Sequence, residues 1–343
     1  MKKSLSYDDV LLVPKYSDIR SRSEIDITGD LTNGLSLPLP IISSPMDTIT
    51  ETAMSFVMAC MGGSGIIHRY NTIEEQSKMV REASAEIETS AVGSLGAAVG
   101  VTGDYIERAQ SLVFAGARYI CVDIAHGHHI LMKEALYNLR KALPPNFHIM
   151  AGNVATLQGV NDLADWGANS VRCNIGGGSI CSTRIQTGHG MPGLQTIFDC
   201  ARTDRDIGII ADGGIRNAGD IVKALAAGAD AVMCGSLLAG TTETPGNILK
   251  DASGSYKVYR GMASKEAQIN WRGRYSSFEG ISSVVPCRGN VDSLLTDLEK
   301  NIKSGFSYSG ARNLKELRLL ADFTQQTTAG TVESGTHIAS KAV

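Results

Sequence analysis

The chain has 343 residues, 43% of them hydrophobic and 20% charged, with a formal net charge of −3. This is the composition of a soluble globular protein, long enough for one large domain, and it excludes a broad cationic surface for nucleic acid or membrane. The N-terminus has no apolar core of a signal peptide, and no apolar run approaches a membrane span. Seven scattered cysteines without a CxxC pair fit reduced thiols in a cytoplasm, and argue against a disulfide framework or a zinc site.

Short apolar runs recur about every 30 residues, the length of a βαβ unit, and each is followed by a helical period. The pattern predicts strand Leu39–Met46, helix Thr50–Met61, strand Gly65–His68, helix Ile73–Ala83, strand Ala91–Ala98 and helix Asp104–Ala115. It continues with strand Tyr119–Ala125, helix Ile130–Ala142, strand His148–Val154, helix Leu157–Trp166 and strand Ser170–Ile175. Helix Gly193–Ala201, strand Ile207–Gly213, helix Ala218–Ala227 and strand Ala231–Ser236 complete it. Several strands are apolar throughout rather than alternating, as expected of parallel strands buried on both faces. Eight such units predict an α/β fold, a (β/α)8 TIM barrel. An open doubly wound sheet is the alternative, but eight units in about 200 residues fit closure better. The whole chain, 1–343, then reads as one catalytic domain. A polar, Gly- and Ser-rich stretch at about 256–286 reads as an active-site flap. Helical patterns return at Val291–Lys303 and Asn313–Ala321, and the small, polar tail Thr327–Val343 is expected to be disordered unless something ties it down.

The chemistry-bearing residues fall just after predicted strands, on the rim where barrel enzymes keep their active sites. They are Ser44-Pro-Met-Asp47, Asp123, Asn153, Asp212-Gly-Gly214 and Gly235-Ser236. The last two groups follow strands seven and eight, the usual phosphate grip of such barrels. Between strand six and the next helix lies Gly176-Gly-Gly-Ser-Ile-Cys181-Ser-Thr-Arg184. A run of backbone amides without side chains can nest an anion, and a thiol beside it sits in an electropositive pocket. Anion cradle plus nucleophile suggests covalent chemistry on a phosphorylated substrate. Taken alone, a flexible loop with an inert cysteine fits as well.

The motifs together resemble the IMP dehydrogenase / GMP reductase family along most of the chain. The resemblance is carried by Tyr7-Asp-Asp-Val-Leu-Leu-Val-Pro14, Ser43-Ser-Pro-Met-Asp-Thr-Ile-Thr-Glu51, Gly62-Gly-Ser-Gly-Ile-Ile-His68 and Val122-Asp-Ile-Ala-His-Gly-His128. Ala151-Gly-Asn-Val154, Gly178-Ser-Ile-Cys-Ser-Thr-Arg184, Ile210-Ala-Asp-Gly-Gly-Ile215 and Tyr259-Arg-Gly-Met262 continue it. It implies a nucleotide oxidoreductase barrel that assembles as a homotetramer. Family dehydrogenases usually carry a pair of CBS domains after the second strand; the short link from Ile66-Ile-His-Arg-Tyr70 to Ala91-Val-Gly-Ser94 leaves no room for them.

By resemblance, Cys181 is the nucleophile on C2 of the purine ring of a nucleotide monophosphate. Asp212 holds the ribose hydroxyls, with helix N-capping as its plainer role. Ser179, Gly214, Gly235, Ser236 and Tyr259 hold the phosphate. Ser44, Met46, Gly261 and Met262 line the purine and ribose pocket, with core packing a rival for both methionines. Asp123, Asn153 and Gly176 stand toward the nicotinamide cofactor. Thr183 and Glu279 match a hydroxyl–carboxylate pair that moves protons, although Glu279 alone in a polar flap reads as a solvated charge.

The resemblance leaves two branches. Arg274-Tyr275 matches the flap pair with which dehydrogenases activate the hydrolytic water. The tail Ala329-Gly-Thr-Val-Glu-Ser-Gly-Thr-His337 resembles the dehydrogenase tail that completes a monovalent-cation site. There a glutamate and a serine, expected at positions 334 and 335, would join the carbonyls of Gly176, Gly178 and Cys181 around K⁺. These features make NAD-dependent oxidation of IMP to XMP the leading expectation. Two features favour the alternative, NADPH-dependent conversion of GMP to IMP and ammonia. Only 24 residues separate Gly261 from Pro286, short for a dehydrogenase flap. Ser21-Arg-Ser-Glu-Ile-Asp26 and Phe306-Ser-Tyr-Ser-Gly310 also have a reductase character. A catalytically inactive nucleotide-binding member is a third reading, and the intact Cys181, Asp212 and Glu279 weigh against it. One departure stands out: the loop usually opens Gly-Ile-Gly but here reads Asn174-Ile-Gly176.

Overall fold

The computed structural model of the chain describes residues 3–87 and 92–335. Eight parallel strands close into a barrel in chain order: β1 (Ile41–Ser43), β2 (Ser64–Ile67), β3 (Ser94–Val99), β4 (Tyr119–Asp123), β5 (His148–Val154), β6 (Ser170–Cys173), β7 (Gly208–Asp212) and β8 (Ala231–Cys234). The outer helices are α1 (Thr52–Cys60), α2 (Ile73–Ile87), α3 (Tyr105–Phe114), α4 (Ile130–Ala142), α5 (Leu157–Asp165), α6 (Gly193–Cys200) and α7 (Ala218–Ala226). Each matches a predicted helix, though ends shift by a few residues. The predicted strand Leu39–Met46 ends early, because Pro45 cannot extend a ladder. Ala91 of the predicted third strand lies outside the described residues.

The helices begin where the sequence offers caps. Thr156 Oγ1 accepts from Gly159 N at 3.1 Å, and Asn217 Oδ1 accepts from Asp220 N at 2.9 Å. The barrel interior is filled by residues such as Ile42, Ile66, Tyr119, Met150, Ile210 and Met233. Its N-terminal end is closed by a hairpin, Gly29–Asp30 paired with Ser36–Leu37, which inserts Leu31, Leu35 and Leu37. With the hairpin under the barrel, the chemistry-bearing residues that follow the strands stand at the C-terminal rim.

Beyond the barrel, β9 (Leu249–Asp251), β10 (Gly254–Arg260) and β11 (Ser282–Pro286) form an antiparallel sheet. Helix α8 (Lys265–Arg272) lies between β10 and β11, so the flap is more regular than its composition suggests. Helix α9 (Val291–Tyr308) runs past the predicted end at Lys303, and α10 (Leu314–Leu320) follows. Phe323–Gln325 then pairs antiparallel with Val10–Leu12. The described part of the tail is ordered rather than loose. Thr327 caps α11 (Thr328–Glu333), and Thr331 Oγ1 donates to Asp8 O at 3.2 Å. Among the described residues no helix is long and apolar enough to cross a membrane.

Candidate active site

The rim holds a pocket of about 240 Å³ lined by the loops after β1, β4, β5, β6, β7 and β8 and by the flap. Its lining includes all the residues expected to bind substrate: Ser44, Met46, Ser179, Asp212, Gly214, Gly235, Ser236, Tyr259, Gly261 and Met262. Asp123, Asn153, Gly176, Gly178, Cys181, Thr183 and Glu279 line it as well. Closeness here depends on glycine. Gly213 and Gly214 take φ of 83° and 76°, which L-residues rarely adopt. A Cβ on Gly235 would stand 3.0 Å from the Tyr259 hydroxyl and 3.1 Å from Met46 Sδ.

Cys181 sits in a chain of contacts. Cys181 Sγ donates to Thr183 Oγ1 at 3.1 Å, and Thr183 Oγ1 donates to Glu279 Oε2 at 2.7 Å. Backbone bonds fix Glu279 there: its N–H donates to Ala263 O at 3.1 Å, and its carbonyl accepts from Ser182 N at 2.8 Å. Ile281 N donates to Ile180 O at 3.0 Å, so the flap is stitched to the cysteine loop on both sides of the carboxylate.

A buried cation organises the carboxylates. Arg172, on β6, donates through Nη2 to Asp123 Oδ1 at 2.5 Å, and its Nη1 lies 3.5 Å from Asp212 Oδ2. Arg69 Nε adds a bond to Asp123 Oδ2 at 3.3 Å. Burial alone would push the Asp123 carboxyl up; Arg172 and Arg69 outweigh it and hold it below the usual range. At Asp212 burial prevails over Arg172 and over the Asn153 Nδ2 bond of 2.8 Å, and its carboxyl is raised. The two oxygens of the Asp212 carboxylate can together accept from a pair of vicinal hydroxyls. Ser179 Oγ and the Tyr259 hydroxyl stand 3.3 Å apart, beside the glycine loops where an anion would lie.

The flap also grips the loop after β1. Arg260 Nε donates to Asp47 Oδ2 at 3.0 Å, and Asp47 N donates to Met262 Sδ at 3.3 Å. Met46 and Met262 both line the pocket beside this contact. Past Asp123 the pocket meets a second cavity of about 320 Å³, lined by Arg69, Thr102, Trp271 and Arg272 among others. Trp271 stacks on Tyr70 with ring centres 5.9 Å apart. This annex gives a dinucleotide room, with a cationic edge for its linker, so the residues present fit a nicotinamide cofactor.

Two expected groups are not brought to the pocket. Arg274 and Tyr275 lie on the exposed turn of the flap; Lys265 Nζ sits 4.6 Å above the Tyr275 ring. The tail pair needs a correction of position as well as of place. Glutamate and serine do not occupy 334 and 335: those positions are Ser334 and Gly335, and the pair is Glu333-Ser334, one residue earlier. Gly335 has no side chain to offer a cation, and its N–H donates to Val332 O at 3.2 Å, past the end of α11. Glu333 and Ser334 are exposed beside the N-terminal segment, where Ser334 Oγ donates to Gln326 Oε1 at 2.8 Å. No contact among the described residues joins Glu333, Ser334 or Gly335 to Gly176, Gly178 or Cys181; Thr336 and His337 lie outside those residues. Arg172 was not among the expected residues. An arginine inside an otherwise buried, apolar strand is a signal that could have found it.

Residues 4–337 match the IMP dehydrogenase / GMP reductase domain. Inosine-5′-monophosphate dehydrogenase of Nitrosopumilus maritimus is 34% identical, with 98% of each chain covered. GMP reductase of Leishmania major is 32% identical over 99% of this chain and 98% of its own. The structure of a GMP reductase variant from Trypanosoma brucei in complex with guanosine 5′-monophosphate superposes with a TM-score of 0.92, at 29% identity and 99% coverage of both chains. A closed parallel barrel, a cysteine in a glycine cradle and a family match over nearly its whole length place this chain in the IMP dehydrogenase / GMP reductase family.

Proposed function

We propose that the chain acts at C2 of a purine nucleoside monophosphate through a covalent adduct on Cys181, in the reductive direction: GMP to IMP and ammonia. One observation carries the direction. The Cys181–Thr183–Glu279 relay is assembled in the pocket, while Arg274 and Tyr275 stand outside it on a flap too short and too firmly stitched for easy relocation. The relay suits the first steps. Glu279 takes the thiol proton through Thr183, and the Cys181 thiolate adds to C2. Glu279 then returns that proton to the exocyclic amine as the C2–N bond breaks and ammonia leaves. A reduced nicotinamide dinucleotide phosphate, when bound, supplies the hydride that replaces the amine. The C–S bond then breaks and Cys181 leaves as thiolate. Asp212 fixes the ribose, and Gly214, Gly235, Ser236, Ser179 and Tyr259 fix the phosphate, so that C2 faces Sγ. A homotetramer in a cytoplasm belongs to the same proposal.

A second reading is favoured by the Arg274-Tyr275 pair: oxidation of IMP to XMP with NAD, in which a detached flap activates water and K⁺ supports the cysteine loop. The experiment is direct. Purified protein is given GMP with NADPH, or IMP with NAD, and the products are separated by chromatography. IMP and ammonia from the first mixture support the reductive reading; XMP from the second, with no turnover of the first, replaces it.

A further inference from the structure

We infer that Asn174 is a positioning residue that fixes the Cys181 loop against the ribose-binding loop after β7. The inference rests on the reading that Cys181 attacks C2. Asn174 follows β6 directly, is 3% exposed, and takes φ of 154°. An L-residue rarely adopts that conformation, and glycine takes it freely. The family pattern has glycine here, so this chain accepts backbone strain to hold an amide. The amide lies inside the cradle: a Cβ on Gly177 would stand 2.0 Å from Asn174 Nδ2. Three strand ends meet on this residue. Its N–H donates to Val154 O at 2.9 Å, and its carbonyl accepts from Asn153 Nδ2 at 3.1 Å. Its Nδ2 reaches Gly213 O, beside Asp212, at 3.4 Å. Its Oδ1 is buried without a partner, a further cost that packing alone does not explain. The nucleophile loop is thus tied to the loop that holds the ribose, and the side-chain bond to Gly213 is the tie a glycine would lack.

Asn174→Gly separates this role from a structural one, because removing a strained residue should not destabilise the fold. We expect the Tm to stay within about 3 °C of wild type or to rise. Affinity for GMP and IMP by calorimetry should change less than about twofold, since Asp212, Gly214, Gly235 and Ser236 stay at the ends of β7 and β8 and only Ser179 of the grip rides on the loop. Alignment should suffer: the fall in kcat is expected to be roughly tenfold or more, in keeping with the cost of small misplacements. Asn174→Asp, which tolerates the same backbone but lacks the donor, should be impaired alike. A probe independent of the reaction's direction is 2-chloroinosine 5′-monophosphate. The Cys181 thiolate forms the C–S bond, the C–Cl bond breaks, and chloride leaves, so mass spectrometry reads alignment without a cofactor. Adduct formation should slow by the same factor in Asn174→Gly. Wild-type adduct rates in both variants would overturn the inference, as would a fall in Tm and nucleotide affinity together. If wild type turns over neither GMP nor IMP yet forms the adduct, the reductive reading fails and the role of Asn174 is still decided by the variants.

Discussion

Asp123, Asn153 and Asp212 stand at the ends of barrel strands, whereas Glu279, Arg274 and Tyr275 ride on a flap that crosses the rim from outside. The strand ends are fixed by the ladder itself: β4 pairs β5 with Asp123 opposite Gly152, and β7 pairs β8 with Asp212 opposite Met233. A side chain there is aimed by the closure of the whole barrel. The flap half has no such frame. Glu279 is placed by hydrogen bonds to Ala263 and Ser182, and Tyr275 and Arg274, four and five positions earlier, fall outside the pocket. Under the proposed reading most of the substrate grip belongs to the barrel, with Tyr259, Gly261 and Met262 added from the flap side, and the proton relay depends on the backbone bonds that seat Glu279. Loop variation on a constant barrel lets one fold host different reactions.

The largest expected effect tests the shared floor of both halves. Cys181→Ser should lower turnover by at least about 10³-fold, because the covalent route depends on a thiolate. GMP and IMP affinity by calorimetry should be nearly unchanged, since the barrel grips lie elsewhere. Substantial residual turnover would remove the covalent mechanism. The next test sets flap residue against flap residue. Loss of a general acid–base typically costs roughly 10²- to 10⁴-fold, and that is the expected fall in GMP reduction for Glu279→Gln. Arg274→Ala should leave it within about twofold, as expected of an exposed side chain away from the pocket. A wild type that oxidises IMP, with an Arg274→Ala variant that releases a burst of NADH and then stalls, would reverse the comparison and establish the flap as a hydrolytic arm.

How much of this was legible in the chain follows the same division. The barrel showed itself through continuous apolar runs, because parallel strands buried on both faces need them. The Cys181 loop showed itself because only glycine serves so close a backbone approach. The hairpin that plugs the barrel was missed, although Thr32-Asn-Gly34 between leucines carries a turn signal and Asn33 does adopt a positive φ of 47°. Glu279 was found only by resemblance, since nothing local separates it from any solvated glutamate. The β10–β11 pairing that seats it joins Tyr256 to Pro286 across the whole flap, and such long-range pairing leaves little trace in a short window. The tail helix was missed because Thr328–Glu333 is short and marginal by itself; it is held by its Thr327 cap and by Asp8.

A smaller effect probes the rigid half at the end away from the chemistry. His148 begins β5, and its Nε2 lies 2.8 Å from Ser170 Oγ on β6. Burial pushes its imidazole down to about 4 from the usual 6.5. The unfolded chain then binds a proton that the folded chain refuses between those values, so stability is lost as pH falls from about 6.5 to about 4. The contribution is on the order of 3 kcal/mol at the bottom of that window. Calorimetry of wild type and His148→Gln across it should show the two curves converging as pH falls. Parallel curves would mean that the imidazole does not titrate as its burial demands.

The smallest expected effect concerns the tail, and it sharpens the contrast from the flap side. Among the described residues of one chain, α11 is tied to Asp8 on the N-terminal segment and to Gln326, just after the strand paired with that segment, and not to the carbonyls of Gly176, Gly178 and Cys181. The cysteine loop already has other supports: Arg184 packs over Gly176, and the flap bonds to Ile180 and Ser182. Under the reductive reading no water step requires the loop to rearrange, so an ion that steadies it has little to add. A neutral carbonyl cage would favour K⁺ over smaller ions, whereas here rates in K⁺, Na⁺ and Li⁺ at equal ionic strength should lie within about twofold of one another. Truncation before Thr331 should likewise leave that ratio near one and shift stability by only about 0.5 kcal/mol, the scale of an exposed contact. Strong activation by K⁺ alone, abolished by the truncation, would show that the tail of a second copy completes a cation site on the loop. It would also move the balance to the oxidative reading, in which the loop must serve a hydride step and then a hydrolytic one.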